Sequence, residues 1–142
     1  MNIDLTGKKA FVCGSTQGIG RASAMVLAEL GANITLIARN EDELKKTLAA
    51  LPLKSQKHDY IVADFSDPEM LRQKVDIYIK SNGPIHILVN NTGGPPGGPI
   101  TNATAAEFLS AFTNHLLCNQ HLAQATLEGM KSEGYGRIIN II

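Results

Sequence analysis

The apolar run Lys8-Lys9-Ala10-Phe11-Val12-Cys13 passes directly into Gly14-Ser15-Thr16-Gln17-Gly18-Ile19-Gly20. That turn passes directly into Arg21-Ala22-Ser23-Ala24-Met25-Val26-Leu27-Ala28, whose apolar positions recur at helical spacing. A strand, a glycine-rich turn and a helix in immediate succession restrict this end of the chain to a β-α unit. A helix that begins inside such a turn aims its free N–H groups and positive dipole end at one point, which suits a phosphate or pyrophosphate. Gly14 ends the strand where the chain turns sharply, Gly18 gives the backbone close approach to an anion, and Gly20 lets the helix sit against the sheet. The spacing is G-x-x-x-G-x-G. Glycines serve turns for conformational reasons alone, so the strand before the triplet and the helix after it carry the argument.

The same alternation continues along the chain. Strands are predicted at 9–13, 33–38, 58–63, 85–90 and 136–142, and helices at 18–30, 41–51, 67–80 and 104–132. Ile34-Thr35-Leu36-Ile37-Ala38 and Ile85-His86-Ile87-Leu88-Val89 are apolar on both faces. Such strands belong in a parallel sheet covered on both sides through right-handed crossovers. The expected fold is therefore α/β, a doubly wound Rossmann-type sheet of five strands, with ligands at the strands' carboxyl ends. Gly31 closes the first helix, Asn40 can cap the second, Ser66-Asp67-Pro68-Glu69 opens the third, and Gly83-Pro84 precedes the fourth strand. The loop Gly93-Gly94-Pro95-Pro96-Gly97-Gly98-Pro99 reads either as a stiff connector or as a wall on the substrate side.

Composition removes several classes of partner. Thirteen basic and thirteen acidic residues balance, so no electrostatic footprint for nucleic acid or an anionic membrane is present. No segment approaches the roughly 18 apolar residues of a membrane span, and Met1-Asn2-Ile3-Asp4-Leu5-Thr6 lacks the pattern of a secretion leader. A cytoplasmic protein acting on small molecules is expected. Cys13 and Cys118 lie far apart without a C-x-x-C, so free buried thiols are expected rather than a disulfide or a metal site. His115 and His121, six apart on a helix, do not form a metal pair.

With the G-x-x-x-G-I-G turn, Asp64 after the third strand and Leu88-Val89-Asn90-Asn91-Thr92-Gly93 after the fourth, the chain resembles the short-chain dehydrogenase/reductase family over its whole length. Through N-N-T-G-G-P-P and G-R-I-I-N-I it is most similar to 3-oxoacyl-acyl-carrier-protein reductases. The resemblance implies cofactor contacts from Gly14, Ser15, Thr16, Gln17, Gly18, Ile19 and Gly20, with Ile19 near the nicotinamide. It implies that Asp64 accepts from the adenine amino group, that Phe65 flanks the ring, and that Asn91, Thr92 and Gly93 pass the adenosine ribose. Asp64 could alternatively cap the next helix, and Asn91 could serve only its turn.

Cofactor choice is legible after the second strand. An acidic residue there accepts both ribose hydroxyls of NAD and repels a 2′-phosphate. This chain has Ala38 and then Arg39, whose planar fork suits the phosphate of NADP, and NAD is disfavoured. The competing use of Arg39 is a surface pair with Glu41 or Asp42. A methyltransferase with a related sheet would also want an acid at this place.

The family's proton donor is a tyrosine in Y-x-x-x-K, helped by a serine. A free phenol, with a pKa of about 10, is otherwise a poor acid at neutral pH. Here Asp64 follows Tyr60, Asn82 follows Tyr78 and Ile139 follows Tyr135 at that spacing, so none of the three tyrosines qualifies. By resemblance the serine, tyrosine and lysine lie beyond Ile142, and the chain is expected to be the N-terminal, cofactor-binding portion of a longer NADP-dependent oxidoreductase, inactive alone. A self-contained noncatalytic NADP(H)-binding module is the alternative. By the same resemblance the family's relay asparagine falls at His115, with Asn114 one residue off; His115 is a candidate catalytic position that could equally be a buried structural histidine. It is expected to share a sheet-facing side with Phe108, Phe112, Asn119 and Leu122. By resemblance the long helix 104–132 would pair with a second subunit, giving a homo-oligomer, although its apolar face could equally be core; Ile138, Ile139, Ile141 and Ile142 would form an apolar edge strand.

Overall fold

The computed structural model describes residues 3–142; Met1 and Asn2, which belong to the stretch read for a leader, lie outside the described residues. Five parallel strands form one sheet in the order β3-β2-β1-β4-β5. They are β1 (Lys9–Cys13), β2 (Asn33–Ala38), β3 (Asp59–Val62), β4 (Ile87–Asn90) and β5 (Arg137–Asn140). Helices α1 (Gly18–Glu29), α2 (Glu41–Ala50) and α3 (Pro68–Asn82) make the crossovers. The last crossover contains a short 3-10 turn (Ile100–Asn102), α4 (Ala105–Phe112), a π turn (Thr113–Leu117) and α5 (Cys118–Ser132).

Alternate residues of each strand face opposite layers, and the core is accordingly double. Ala10, Val12, Ile34, Leu36 and Val89 pack with Ala24 and Ala28 of α1 and Leu44 of α2. Phe11, Cys13, Ile37, Ile61 and Leu88 face the other way, onto Leu71 and Val75 of α3 and Cys118 and Leu122 of α5. Burying each leucine or isoleucine in these layers contributes about 1.5–3 kcal/mol. Thr35, a polar residue in the second strand, is satisfied by the Tyr78 hydroxyl at 2.9 Å. β5 stands at the sheet edge with Ile138 39% and Ile139 45% exposed.

Helix starts follow local chemistry. Asn40 caps α2 by accepting from Glu43 N–H, Asp67 caps α3 by accepting from Met70 N–H, and Thr104 with Glu107 forms a capping box on α4. The region expected as one helix over 104–132 is divided by the π turn. The extra residue rotates α5 relative to α4, so Phe108 and Phe112 are 59% and 51% exposed while Leu122 is fully buried. The expected common face of Phe108, Phe112, His115 and Leu122 is therefore not formed.

From β1 the chain steps outward through β2 to β3, then crosses back to β4 on β1's other side. The winding direction reverses between β1 and β4, and a crevice opens at their carboxyl ends.

Candidate functional site

Two loops meet in that crevice. The Asn91 side-chain amide donates to the carbonyls of Cys13 and Gly14, at 3.3 Å each, and so ties the exit of β4 to the exit of β1. The approach is close enough to require glycine. A Cβ on Gly14, whose φ is +55°, would lie 2.6 Å from the Asn91 carbonyl oxygen, and one on Gly20 would overlap the Gly14 carbonyl. Gly18 differs, because its φ of +52° needs glycine while nothing lies within 4 Å of where a Cβ would stand. Its open side is available to a ligand.

The resulting cleft, about 600 Å³, is lined by Gly14, Thr16, Gln17, Gly18, Ile19, Arg39, Asp64, Phe65, Asn91, Thr92 and Gly93 among the residues expected from sequence. Ala38, Ala63, Ser66, Gly94 and Asn114 complete it. Two expected residues stand back from the lining. Gly20 is buried against Gly14 and Asn91, and Ser15 is fully buried with its hydroxyl unpaired. Sequence could have signalled Ser66, which lies two residues after Asp64 in one loop; Asn114, one residue from the position of the family's relay asparagine, borders the cleft in its place.

α1 opens into this cleft unlike its neighbours. Its N-cap, Gln17, makes no side-chain cap hydrogen bond, and the first turn contains no acidic residue. α2, α3 and α4 each have a capping side chain and at least one first-turn acid. The first N–H groups of α1 are thus left to a partner in the cleft, and the dipole favours an anionic one.

The charges around the rim are ordered. Glu41 is occupied by Lys45 at 3.1 Å and by the Tyr60 hydroxyl at 2.9 Å. Arg39 forms no ion pair within 4.0 Å among the described residues, so the competing pairing with Glu41 or Asp42 is not formed. Asp64 Oδ1 accepts from both the amide and the hydroxyl of Ser66, at 2.9 and 2.8 Å. Those bonds hold its carboxyl below the ordinary value, with a smaller contribution from Arg39. Asp64 is therefore an ionised acceptor at neutral pH, and the cap of α3 is Asp67 instead.

His115 sits in the π turn, half-buried, and its Nδ1 is hydrogen-bonded to the Thr92 hydroxyl. It lines a second cleft of about 310 Å³ with Pro95, Pro96, Glu107 and Ala111. Gly94 and Asn114 border both clefts. Cys13 and Cys118 are free and buried, and burial pushes their thiols up to about 12 and about 11. Both are protonated and unreactive at neutral pH.

A parallel sheet whose switch point holds a glycine turn, an uncapped helix start and a cleft of this size defines the dinucleotide-binding class of doubly wound proteins. Residues 8–142 match the short chain dehydrogenase family, and the chain belongs to it. It is 37% identical over 134 residues to a putative ketoacyl reductase of the granaticin polyketide synthase from Streptomyces violaceoruber, covering 93% of this chain and 49% of that protein. To the 3-oxoacyl-[acyl-carrier-protein] reductase FabG of Haemophilus influenzae it is 33% identical, covering 96% and 55%. The crystal structure of L-sorbose reductase from Gluconobacter frateurii, complexed with NADPH and L-sorbose, superposes with a TM-score of 0.89 at 31% identity over 99% of this chain and 54% of that one. The chain thus spans about half the length of these relatives. No described helix is long and apolar enough to cross a membrane.

Proposed function

We propose that residues 1–142 are the cofactor-binding part of an NADP-dependent short-chain oxidoreductase that moves hydride between nicotinamide and a carbonyl or alcohol carbon. The observation that carries the cofactor choice is Arg39, which lines the cleft one residue after β2 and makes no ion pair among the described residues. Its fork would hold the 2′-phosphate by parallel charge-assisted bonds, where a carboxylate would repel it. The open N-terminus of α1 and the bare side of Gly18 would take the pyrophosphate. Asp64 would accept from the adenine amino group with Phe65 beside the ring, and Asn91, Thr92 and Gly93 would follow the adenosine ribose. Ile19, 59% exposed and lining the cleft, would cover one side of the nicotinamide.

When bound, the cofactor supplies or accepts the hydride. The proton must come from a side chain, and no tyrosine here has lysine four residues later. In this reading the donor belongs to the remainder of a protein about twice this length, which also supplies most of the substrate pocket. A 3-oxoacyl thioester is the proposed substrate, supported by the names of the ketoacyl reductase relatives. A cytoplasmic homo-oligomer is the proposed working form.

The test is NADPH consumption by the full-length protein with an acetoacetyl thioester, alongside NADPH titration. Binding with turnover supports the reading. Binding without turnover of any ketone favours a noncatalytic NADP(H)-binding module. Absence of NADPH binding refutes both.

A further inference from the structure

We infer that His115 is a specificity-determining residue that hydrogen-bonds a second oxygen of the substrate, apart from the reacting carbonyl, and that Thr92 is its positioning residue. The inference rests on the oxidoreductase reading above and deepens it. Three observations carry it. The Thr92 hydroxyl is hydrogen-bonded to His115 Nδ1, and Nε2 has no protein partner among the described residues; with the hydroxyl donating, Nε2 carries the ring proton and is the donor offered to a ligand. The ring lines the smaller cleft between the Pro95-Pro96 loop and α4, while Thr92 lines the dinucleotide cleft, so one hydrogen bond crosses the wall between them. The π turn, which inserts a residue at Thr113–Leu117, gives His115 this place. Such turns cluster at functional sites because they re-aim a side chain at the expense of regular helix hydrogen bonding.

Besides His115, the smaller cleft is lined by the polar side chains of Glu107, Ser110 and Asn114, the last with its Oδ1 buried and unpartnered. Its carboxylate, Glu107, is engaged by the amide and hydroxyl of Thr104 at 2.7 and 3.0 Å as part of the α4 cap. Pro95, Pro96, Ala106 and Ala111 offer no side-chain hydrogen bond. His115 differs from Ser110 and Asn114 in being held by a side-chain hydrogen bond, to Thr92, while keeping a second ring nitrogen for a ligand. In a 3-oxoacyl thioester the second oxygen is the thioester carbonyl. A plain ketone has none. Recognition of this kind discriminates, because the analogue lacking the oxygen leaves a half-buried donor without its partner.

The experiment uses the full-length protein with NADPH and two probes, an acetoacetyl thioester and cyclohexanone. His115→Leu is expected to lower kcat/KM for the thioester about fivefold to tenfold, mainly through KM, and to change cyclohexanone by less than about twofold. Thr92→Val should reproduce part of the thioester loss, Thr92→Ser should recover it, and adding Thr92→Val to His115→Leu should cost nothing more, since the two act as one unit. The dissociation constant of the acetoacetyl thioester from NADP+-bound His115→Leu should weaken in parallel, with the NADPH affinity of that variant unchanged. Equal losses on both probes, a fall in kcat alone, or turnover of neither probe with NADPH bound overturns the inference. Loss of NADPH binding in the unaltered protein refutes the reading beneath it instead.

Discussion

The Asn91 side-chain amide donates to the Gly14 carbonyl at 3.3 Å, and to its neighbour Cys13 at the same distance, across the point where the sheet reverses its winding. This contact fixes the glycine turn relative to the loop after β4. Replacing Asn91 with Leu removes both bonds and is expected to destabilise the fold by about 1–2 kcal/mol. Asn91→Asp, which sets a carboxylate against two carbonyl oxygens, should cost more. Denaturant unfolding of the two variants checks the order, and equal stability of Asn91→Asp and the parent chain would contradict it.

Gly18 and Gly20 separate conformational need from steric need. An alanine at Gly20 would collide with the Gly14 carbonyl and the Asn91 amide, so a loss of about 1–3 kcal/mol is expected. At Gly18 there is space for a Cβ, but φ is +52°, and the left-handed region costs a non-glycine residue about 1–2 kcal/mol. Gly18→Ala should therefore fold while weakening dinucleotide binding by at least about tenfold, because the methyl occupies the open side. Thermal unfolding with and without NADPH distinguishes the two.

His86 gives the fold an acid-sensitive joint at the opposite end of the sheet. Its Nδ1 accepts from Lys9 N–H at 3.0 Å, a bond that only the unprotonated nitrogen can make. Burial, reinforced by nearby Lys8, holds its pKa below the ordinary 6.5, against a weaker upward pull from Glu133. A depressed folded pKa means that the unfolded chain takes up the proton first. The stabilisation is then fully present above pH 6.5 and is lost as pH falls through the lower folded value. Unfolding free energy should drop on acidification from neutral pH, and His86→Gln should flatten that slope. An unchanged slope would contradict the assignment.

Much of this architecture is legible in the chain because its signals are local. β1 and β2 occupy 9–13 and 33–38 as expected, since each is an apolar run ended by a polar or glycine break. Asp67-Pro68-Glu69 marks α3 through side-chain chemistry that needs no tertiary partner. The π turn is not legible. Residues 105–117 contain neither glycine nor proline, and an inserted residue leaves no mark in apolar spacing until packing selects it. The burial of Ser15 is not legible for a related reason. A hydroxyl in a glycine turn reads as a phosphate donor, but its orientation is set by the backbone, which here turns it into the core. The freedom of Arg39 also lies outside sequence reasoning, because it depends on Lys45 and Tyr60 reaching Glu41.

Selection of NADP by Arg39 is best tested through the ratio of NADPH to NADH dissociation constants in the parent protein and in Arg39→Ala. Removing a charge-assisted phosphate contact is expected to weaken NADPH by about 10- to 100-fold and leave NADH within about twofold. Tighter NADH binding in the parent protein, or unchanged NADPH affinity in Arg39→Ala, would contradict it.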